Sequence, residues 1–235
     1  EQLRIFVFTA GSSLTAQQPL NNVVRTSIEA LAAAMGGCQT MHVCAFDEAL
    51  GVPTEAAATL ALRTQQIVAF ETGLTDLVDP LGGSELLERL TDQLEAEVMA
   101  EMDKIAELGG ALACIESGYF ATRLSDSAYE TAIAIDTGKR KVVGVNSFVS
   151  DTAEFEVFTI DHESEVRQIE SLLRVKEKRD QSQVTHTLEG LSKAAHDGIN
   201  IVPAVVLAVK AYATVGEITD VLREVYGKWE PTSSF

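Results

Sequence analysis

The residues with the clearest capacity for chemistry lie at the end of one short apolar segment near the start of the chain. His42 lies toward the end of CQTMHVCAF (38–46), and Asp47 and Glu48 come directly after it. In α/β proteins, polar groups at the carboxyl ends of parallel strands commonly form the binding site, so a neutral imidazole here could donate a hydrogen bond to a substrate carbonyl or phosphate. The simpler alternative is a histidine that is satisfied inside a sheet and binds no ligand.

No other motif in the sequence defines a known catalytic centre. The segment GSSLT lacks the lysine of a P-loop, and the glycine pairs at 36–37 and 82–83 do not fit the dinucleotide-binding pattern GxGxxG. The three cysteines, Cys38, Cys44 and Cys114, form no CxxC pair and no zinc-type spacing, so we expect no metal site. Their odd number favours reduced thiols and a cytoplasmic protein.

The polar residues are predicted to lie in a single βαβ unit. LRIFVF (3–8) is almost wholly apolar, as in a strand that is buried on both faces. A helix from about Leu20 to Met35 leads to the second strand, and Thr54 can cap a further helix that ends at Gly73. Parallel strands joined by one crossover helix need neighbours on both sides, so the rest of the sheet must come from elsewhere. We therefore expect a fragment, a split subunit or a processed product.

Helices dominate the sequence after the breaker cluster DPLGGS (79–84). The segments KVVGVNSF and FEVFTI alternate or are apolar throughout, which predicts a small strand pair within this helical region. The predicted helices cover about 85–108, 111–116, 125–137, 164–179, 183–195, 203–212 and 215–226.

Composition excludes two classes of partner. The formal net charge is −17, whereas a protein that binds nucleic acid or anionic lipid needs clustered Lys and Arg. No apolar run reaches the roughly 18 residues that cross a membrane. We therefore expect no nucleic acid and no membrane among the partners.

A series of longer motifs then points to one family. The chain contains, in this order, TAGSSLTAQQPLNN, GGCQTMH, FDEAL, PTEAA, LRTQQI, ETG, DPLGGS, VVGVN and ATVGEI. From about Arg4 to Tyr226 it resembles the large subunit of adenosylcobalamin-dependent acyl-CoA mutases, which include methylmalonyl-CoA, isobutyryl-CoA and 2-hydroxyisobutyryl-CoA mutases. So many ordered motifs are specific to the family but not to one substrate.

The resemblance implies an α/β fold that is the C-terminal portion of a TIM (β/α)8 barrel, followed by a mainly helical post-barrel region. Residues 1–84 would be the last two strand–helix units of the barrel, and residues 85–235 the helical region with its small strand pair. The implied partners are the N-terminal barrel half of the large subunit and a small cobalamin-binding subunit or domain. The chain lacks the D-x-H-x-x-G motif whose histidine ligates cobalt, so another domain or subunit would hold most of the cofactor.

The implied activity is that of an isomerase. Homolysis of the cobalt–carbon bond starts a radical 1,2 rearrangement of a short branched acyl-CoA, and the protein places the substrate and excludes water. The family's substrate-facing Tyr, His and Arg lie upstream of this chain, so we expect it to be inactive alone. The alternative is a non-catalytic assembly or binding module derived from the large subunit.

The resemblance assigns cofactor and substrate contacts by position. Glu48 matches the carboxylate that hydrogen-bonds the ribose of the adenosyl group, and Gly11 and Gly51 match positions that contact the corrin. Gln39 matches a polar group that faces the acyl-CoA, and His42 matches a histidine that lines or supports the site.

Other substrate-facing positions depart from the family pattern. Relatives read R-x-H-x-Q-T where this chain reads RIFVFT from Arg4, so Phe6 and Phe8 replace two polar groups, and Cys44 replaces an asparagine. A desolvated carboxylate needs polar partners, so these changes predict a preference for an apolar acyl group over that of methylmalonyl-CoA. The alternative is that both rings merely repack the strand.

Overall fold

The computed structural model describes residues 4–151, 155 and 157–230 of the chain. The described residues divide into two compact units, the first ending at Phe158 and the second starting at Thr159. Helix is the dominant element in both units. No helix in the described ranges is long and apolar enough to cross a membrane.

The first unit begins with the predicted βαβ arrangement. Strand β1 (Phe6–Phe8) is parallel to β2 (Thr40–His42), and helix α1 (Asn21–Met35) is the crossover between them. Helix α2 (Glu55–Glu71) follows β2. Both strands are shorter than predicted, because each has a partner on one side only in the described sheet and because the chain after His42 leaves the ladder.

The core of this unit lies on one face of the two strands. Ala30 of α1 and Ala57 and Ala61 of α2 are buried against Val43 and Ala45, which follow β2. These small side chains let both helices approach the sheet closely. The opposite face of the sheet is not covered by the described residues, because Phe6 and Phe8 are 54% and 63% exposed. The prediction that the first strand is buried on both faces is therefore wrong for this chain.

Asn22 of α1 connects the loops that follow the two strands. Its side-chain amide group donates hydrogen bonds to the carbonyl oxygens of Thr15 (2.9 Å) and Phe46 (2.8 Å). Its carbonyl oxygen accepts from the Thr15 backbone N–H and from the Arg25 guanidinium. Because Asn22 is fully buried, these bonds satisfy a side chain that would otherwise destabilise the core.

Hydrogen bonds between the turn after β2 and the first residues of α2 hold this turn in place. Thr54 caps this helix as predicted, since its hydroxyl accepts a hydrogen bond from the Ala57 N–H. The buried Asp47 carboxylate accepts hydrogen bonds from both the backbone N–H and the hydroxyl of Thr54, at 2.9 and 2.8 Å. The cap therefore holds the turn as well as the helix.

Replacing Thr54 with alanine is expected to lower the free energy of unfolding by about 1–2 kcal/mol, because the helix loses its cap and the Asp47 carboxylate loses a hydroxyl donor. Urea unfolding followed by circular dichroism measures the change. Thr91→Ala is the matched control, since that hydroxyl only bonds back to the Leu87 carbonyl within a helix. An equal loss in both variants would contradict the proposed role of the cap.

Three further helices complete the first unit: α3 (Glu85–Glu107), α4 (Gly110–Glu116) and α5 (Tyr119–Asp136). Helix α5 begins six residues before the predicted start at about 125. The reason is Gly118, whose φ of +75° lets the chain leave α4 and enter α5 at once.

The predicted strand pair in the helical region does not form among the described residues. The segment 141–148 contains one isolated bridge, between Val143 and Ser147. The Asn146 side chain holds this segment as a compact loop, because it bonds the Val142 N–H and the carbonyl oxygens of Ile135 and Arg140. Residues 155 and 157–160 are not in a strand, and the rest of FEVFTI, Glu156, lies outside the described residues.

The second unit is a small helical assembly. It contains α6 (His162–Lys178), α7 (Gln181–His196), α8 (Val202–Lys210) and α9 (Val215–Tyr226), close to the predicted ranges. Its core consists of Leu191, Ala208 and Ile218 with the apolar residues packed around them. Strong caps start three of the helices, with Asp161 before α6, Asp180 before α7 and Thr214 before α9.

Candidate functional site

An aromatic surface covers the open face of the sheet. The ring centroids of Phe6 and Phe8 lie 4.7 Å apart in an edge-on arrangement, and the Phe8 ring lies 5.0 Å from the His42 ring. The three side chains share a face because alternate residues of a strand point the same way and Phe8 is paired with His42. The period of two in a strand predicts that both phenylalanines share one face, and the structure confirms this; their position beside His42 follows from the strand register.

Cys44 lies just beyond the carboxyl end of β2. Its backbone N–H donates to the Thr9 hydroxyl at 2.9 Å, and its Sγ lies 3.3 Å from the Thr9 carbonyl oxygen. Burial raises the pKa of the Cys44 thiol, and the nearby Glu48 and Glu29 carboxylates raise it further, against the opposing hydrogen bond with Thr9. The thiol is therefore protonated at neutral pH and is a poor nucleophile.

A tight turn brings Glu48 back toward the strand end. The Glu48 backbone N–H donates to the Ala45 carbonyl at 3.1 Å, and the Glu48 Oε1 accepts from the Ala45 N–H at 2.6 Å. One ligand atom each of His42, Cys44 and Glu48 therefore lies within 4.8 Å of the others.

The sequence motifs did not reveal this three-residue cluster, because its spacing matches no standard metal or catalytic pattern. The signal that could have found it is structural. Residues two apart on a strand share a face, and a single turn after Ala45 returns Glu48 to the same point.

The two candidate glycines have different surroundings. A Cβ added to Gly11 would meet nothing within 4 Å, so the backbone there is open to close approach by a ligand. A Cβ added to Gly51 would lie 3.0 Å from the Val157 Cγ1 atom. Packing within the chain therefore already explains a glycine at position 51, and its contact with a corrin stays a prediction.

Gln39 and Arg4 lie at the other end of the strands. The Gln39 Oε1 accepts from the Ile5 N–H at 2.5 Å, and its Nε2 donates to the Gly37 carbonyl at 2.9 Å. Arg4 is exposed just before β1. With a rise of roughly 3.3 Å per residue, Gln39 is about 16 Å along the chain from Cys44. Gln39 borders a cavity with Ala34 of α1 and Val68 of α2, and the structure does not place it beside Phe6, Phe8 and His42 on the open face, so its contact with the acyl-CoA stays a prediction.

Comparison with known proteins identifies the family. The family model for methylmalonyl-CoA mutase matches residues 1–228. The chain is 40% identical over 237 residues to the 2-hydroxyisobutanoyl-CoA mutase large subunit of Aquincola tertiaricarbonis. The aligned region covers 100% of this chain and 42% of that protein. It is 43% identical over 230 residues to the methylmalonyl-CoA mutase of Escherichia coli (strain K12), covering 97% of this chain and 32% of that protein.

The mitochondrial methylmalonyl-CoA mutase of Homo sapiens is 41% identical over 229 residues, which are 96% of this chain and 30% of that protein. The chain belongs to the methylmalonyl-CoA mutase family, as its ordered motifs predicted. It spans less than half the length of each of these relatives.

Proposed function

We propose that this chain is part of an adenosylcobalamin-dependent acyl-CoA mutase, an isomerase that rearranges the carbon skeleton of a short branched acyl-CoA. The observation that carries the proposal is the open, aromatic face of a parallel β1–β2 pair, which leads to a polar cluster at the carboxyl ends of the strands. This arrangement occurs in a chain of the mutase family. The relatives named above are mutases or mutase subunits, so the alternative of a non-catalytic assembly module is not favoured.

Residues 1–84 are, in this proposal, the last two strand–helix units of a TIM barrel, and residues 85–235 form the helical post-barrel region. In such a barrel the helices cover the outer face of each strand and the inner face lines the interior. The side of β1 and β2 that packs on α1 and α2 fits the outer face. Phe6, Phe8 and His42 then point inward, and the N-terminal barrel half supplies the neighbouring strands.

The residues present fit part of the adenosylcobalamin site. The Ala45 N–H holds the Glu48 carboxylate at the strand end, next to the Cys44 thiol, and in this proposal the carboxylate also accepts a hydrogen bond from a ribose hydroxyl. Gly11 offers open backbone to the corrin. When bound, the cofactor supplies the radical chemistry of the reaction. A separate cobalamin-binding domain or subunit holds most of it, because this chain lacks the D-x-H-x-x-G ligand motif.

In this proposal the substrate contacts extend along the length of the strand pair. Arg4 and Gln39 lie at one end, the two phenylalanine rings lie between, and His42 and Cys44 lie at the other end. An acyl-CoA is long enough to follow such a line. The rings exclude water from the acyl group, and a neutral His42 imidazole can donate a hydrogen bond to the thioester carbonyl.

The proposal is tested by reconstitution with the N-terminal barrel half and the cobalamin-binding subunit. We expect turnover of a branched acyl-CoA by the assembled enzyme and no tight binding of adenosylcobalamin by the chain alone. If the complete assembly binds the cofactor but isomerises no short acyl-CoA, the proposed function is wrong.

Glu48→Gln is expected to weaken cofactor binding to the assembled enzyme by roughly ten- to a hundredfold, because hydrogen bonds to a charged acceptor contribute about 1.5–3 kcal/mol. Titration of the cofactor, followed by its visible absorption, measures the change. Glu55→Gln is the control, since Glu55 lies exposed in the first turn of α2. Equal affinity of the Glu48 variant and the parent would exclude the ribose contact.

We also propose a reducing compartment such as the cytoplasm. The three cysteines are free thiols in the structure, as in proteins of such compartments.

A further inference from the structure

We propose that the groove between helices α3 and α5 is a docking surface for a basic amphipathic helix of a separate protein. The groove is open and has a volume of about 920 Å³. All the residues that line it lie on α3 and α5, so none of them belongs to the strand pair or to the loops after it. This surface does not depend on the mutase activity proposed above.

Contacts between the two helices hold the groove in shape. The Tyr119 hydroxyl, at the start of α5, donates a hydrogen bond to the Glu101 Oε1 atom of α3 at 2.6 Å. The Lys104 Nζ atom lies 5.3 Å from the centroid of the Tyr119 ring. The short helix α4 connects α3 to α5 and contains the fully buried Cys114. A partner therefore meets a surface that is already formed.

Four apolar side chains line the groove. They are Leu94 and Val98 of α3 and Phe120 and Leu124 of α5. Leu94 and Leu124 are 61% and 66% exposed. On each helix the two apolar residues are four apart, so they lie on neighbouring turns of one face. Two apolar ridges of this kind leave a channel that fits the apolar face of a third helix.

Charge determines which helix fits. Four carboxylates line the groove, and Arg123 is the only basic residue among its described lining residues. Helix α3 as a whole carries eight acidic and two basic residues. A second copy of this chain, with a formal net charge of −17, would be repelled by such a surface. A helix with Lys or Arg beside its apolar residues would instead place cations next to the carboxylates.

Fluorescence anisotropy with a labelled synthetic peptide tests the surface. The peptide is a helix of about 18 residues, with Leu at positions i, i+3, i+4 and i+7 and Lys elsewhere. We expect it to bind the purified 235-residue chain with a stoichiometry of one to one. A second peptide with the same leucines, but with Glu in place of Lys, should bind roughly tenfold more weakly or less, because its charge matches that of the groove.

Variants of the chain separate docking in the groove from a general attraction between a cationic peptide and an acidic protein. Leu94→Gln and Leu124→Gln keep the charge of the groove and remove apolar contacts, so each should weaken binding roughly tenfold. Leu112→Gln is the matched control, since Leu112 is 68% exposed on α4 and does not line the groove. Circular dichroism checks that all three variants are folded.

Four results would overturn the proposal. Two of them are an equal loss of affinity in Leu112→Gln and in the groove variants, and equal binding of the two peptides. Self-association of the parent chain that light scattering shows to be lost in Leu124→Gln would make a second copy the occupant. If addition of the N-terminal barrel half blocks the peptide, that half is the occupant. Because no measurement uses cofactor or acyl-CoA, a negative result leaves the proposed mutase function intact.

Discussion

The double variant Phe6→His, Phe8→Gln is expected to shift the substrate preference of the reconstituted enzyme toward carboxylated acyl-CoAs. The ratio of kcat/KM for methylmalonyl-CoA over isobutyryl-CoA should rise on the order of 10–200-fold, the range over which an apolar pocket discriminates. The Phe6 and Phe8 rings lie side by side on the open face, with their centroids 4.7 Å apart. They offer a carboxylate no hydrogen bond, whereas the introduced imidazole and amide do.

Competition assays with both substrates in one mixture measure this ratio directly. Phe70→Gln is the control, because Phe70 is 84% exposed on α2, away from the open face. If the double variant folds, assembles and keeps the parental ratio, the two rings only pack against neighbouring side chains and do not select the acyl group.

Glu217→Gln is expected to destabilise the second unit by about 3 kcal/mol at neutral pH. Arg179 binds this carboxylate through two nitrogens, at 2.7 and 2.5 Å, and its side chain is only 4% exposed. The Arg179 hydrogen bonds lower the pKa of Glu217 from 4.5 to about 2, and the Thr214 backbone and hydroxyl contribute. This depression corresponds to about 3 kcal/mol. Removing the charge leaves a buried guanidinium without its partner.

The stabilisation has a defined pH dependence. Because the folded pKa lies below the unfolded pKa, the full contribution is present above about pH 5. It is lost as the pH falls from about 4.5 toward 2. Urea unfolding at a series of pH values should therefore show parent and variant converging in acid.

Glutamine still fits the capping box with Thr214, so the substitution changes the charge and keeps the cap. Glu163→Gln is the matched control. Glu163 also lies in the first turn of a helix and pairs with an arginine, but it is 82% exposed. It should change stability by less than about 1 kcal/mol. Similar losses in both variants, or a pH-independent loss in Glu217→Gln, would refute this account.

The sequence predicted correctly those elements for which the local residue propensities and the tertiary packing favour the same structure. Helix α1 was expected from about Leu20 to Met35, and it spans Asn21–Met35. The strand pair after residue 140 was not predictable in the same way. VVGVN is apolar and β-branched, but Gly144 and the Asn146 side chain close it into a loop. Side-chain hydrogen bonds of this kind outweigh local β propensity, and a pattern of apolar residues does not show them.

The candidate site was also predictable only in part. Strand periodicity was enough to place Phe6 and Phe8 on one face, since that needs only a period of two. It was not enough to show that the face is open, because exposure depends on which other elements pack on that face, and a period of two carries no information about them. Cys44 and Glu48 lie close together because of the tight turn after Ala45. The spacing of the cysteines in the sequence does not predict this turn.

Asn22 has a consequence for how the mouth of the site moves. Its buried amide bonds Thr15 in the loop after β1 and Phe46 in the loop after β2. Both loops are therefore anchored to one side chain of α1, and loss of that side chain should release both of them. In hydrogen exchange, the Thr15 amide should lose protection in Asn22→Ala, because the Asn22 Oδ1 is its hydrogen-bond acceptor. A ligand entering from this side meets two loops that share one anchor.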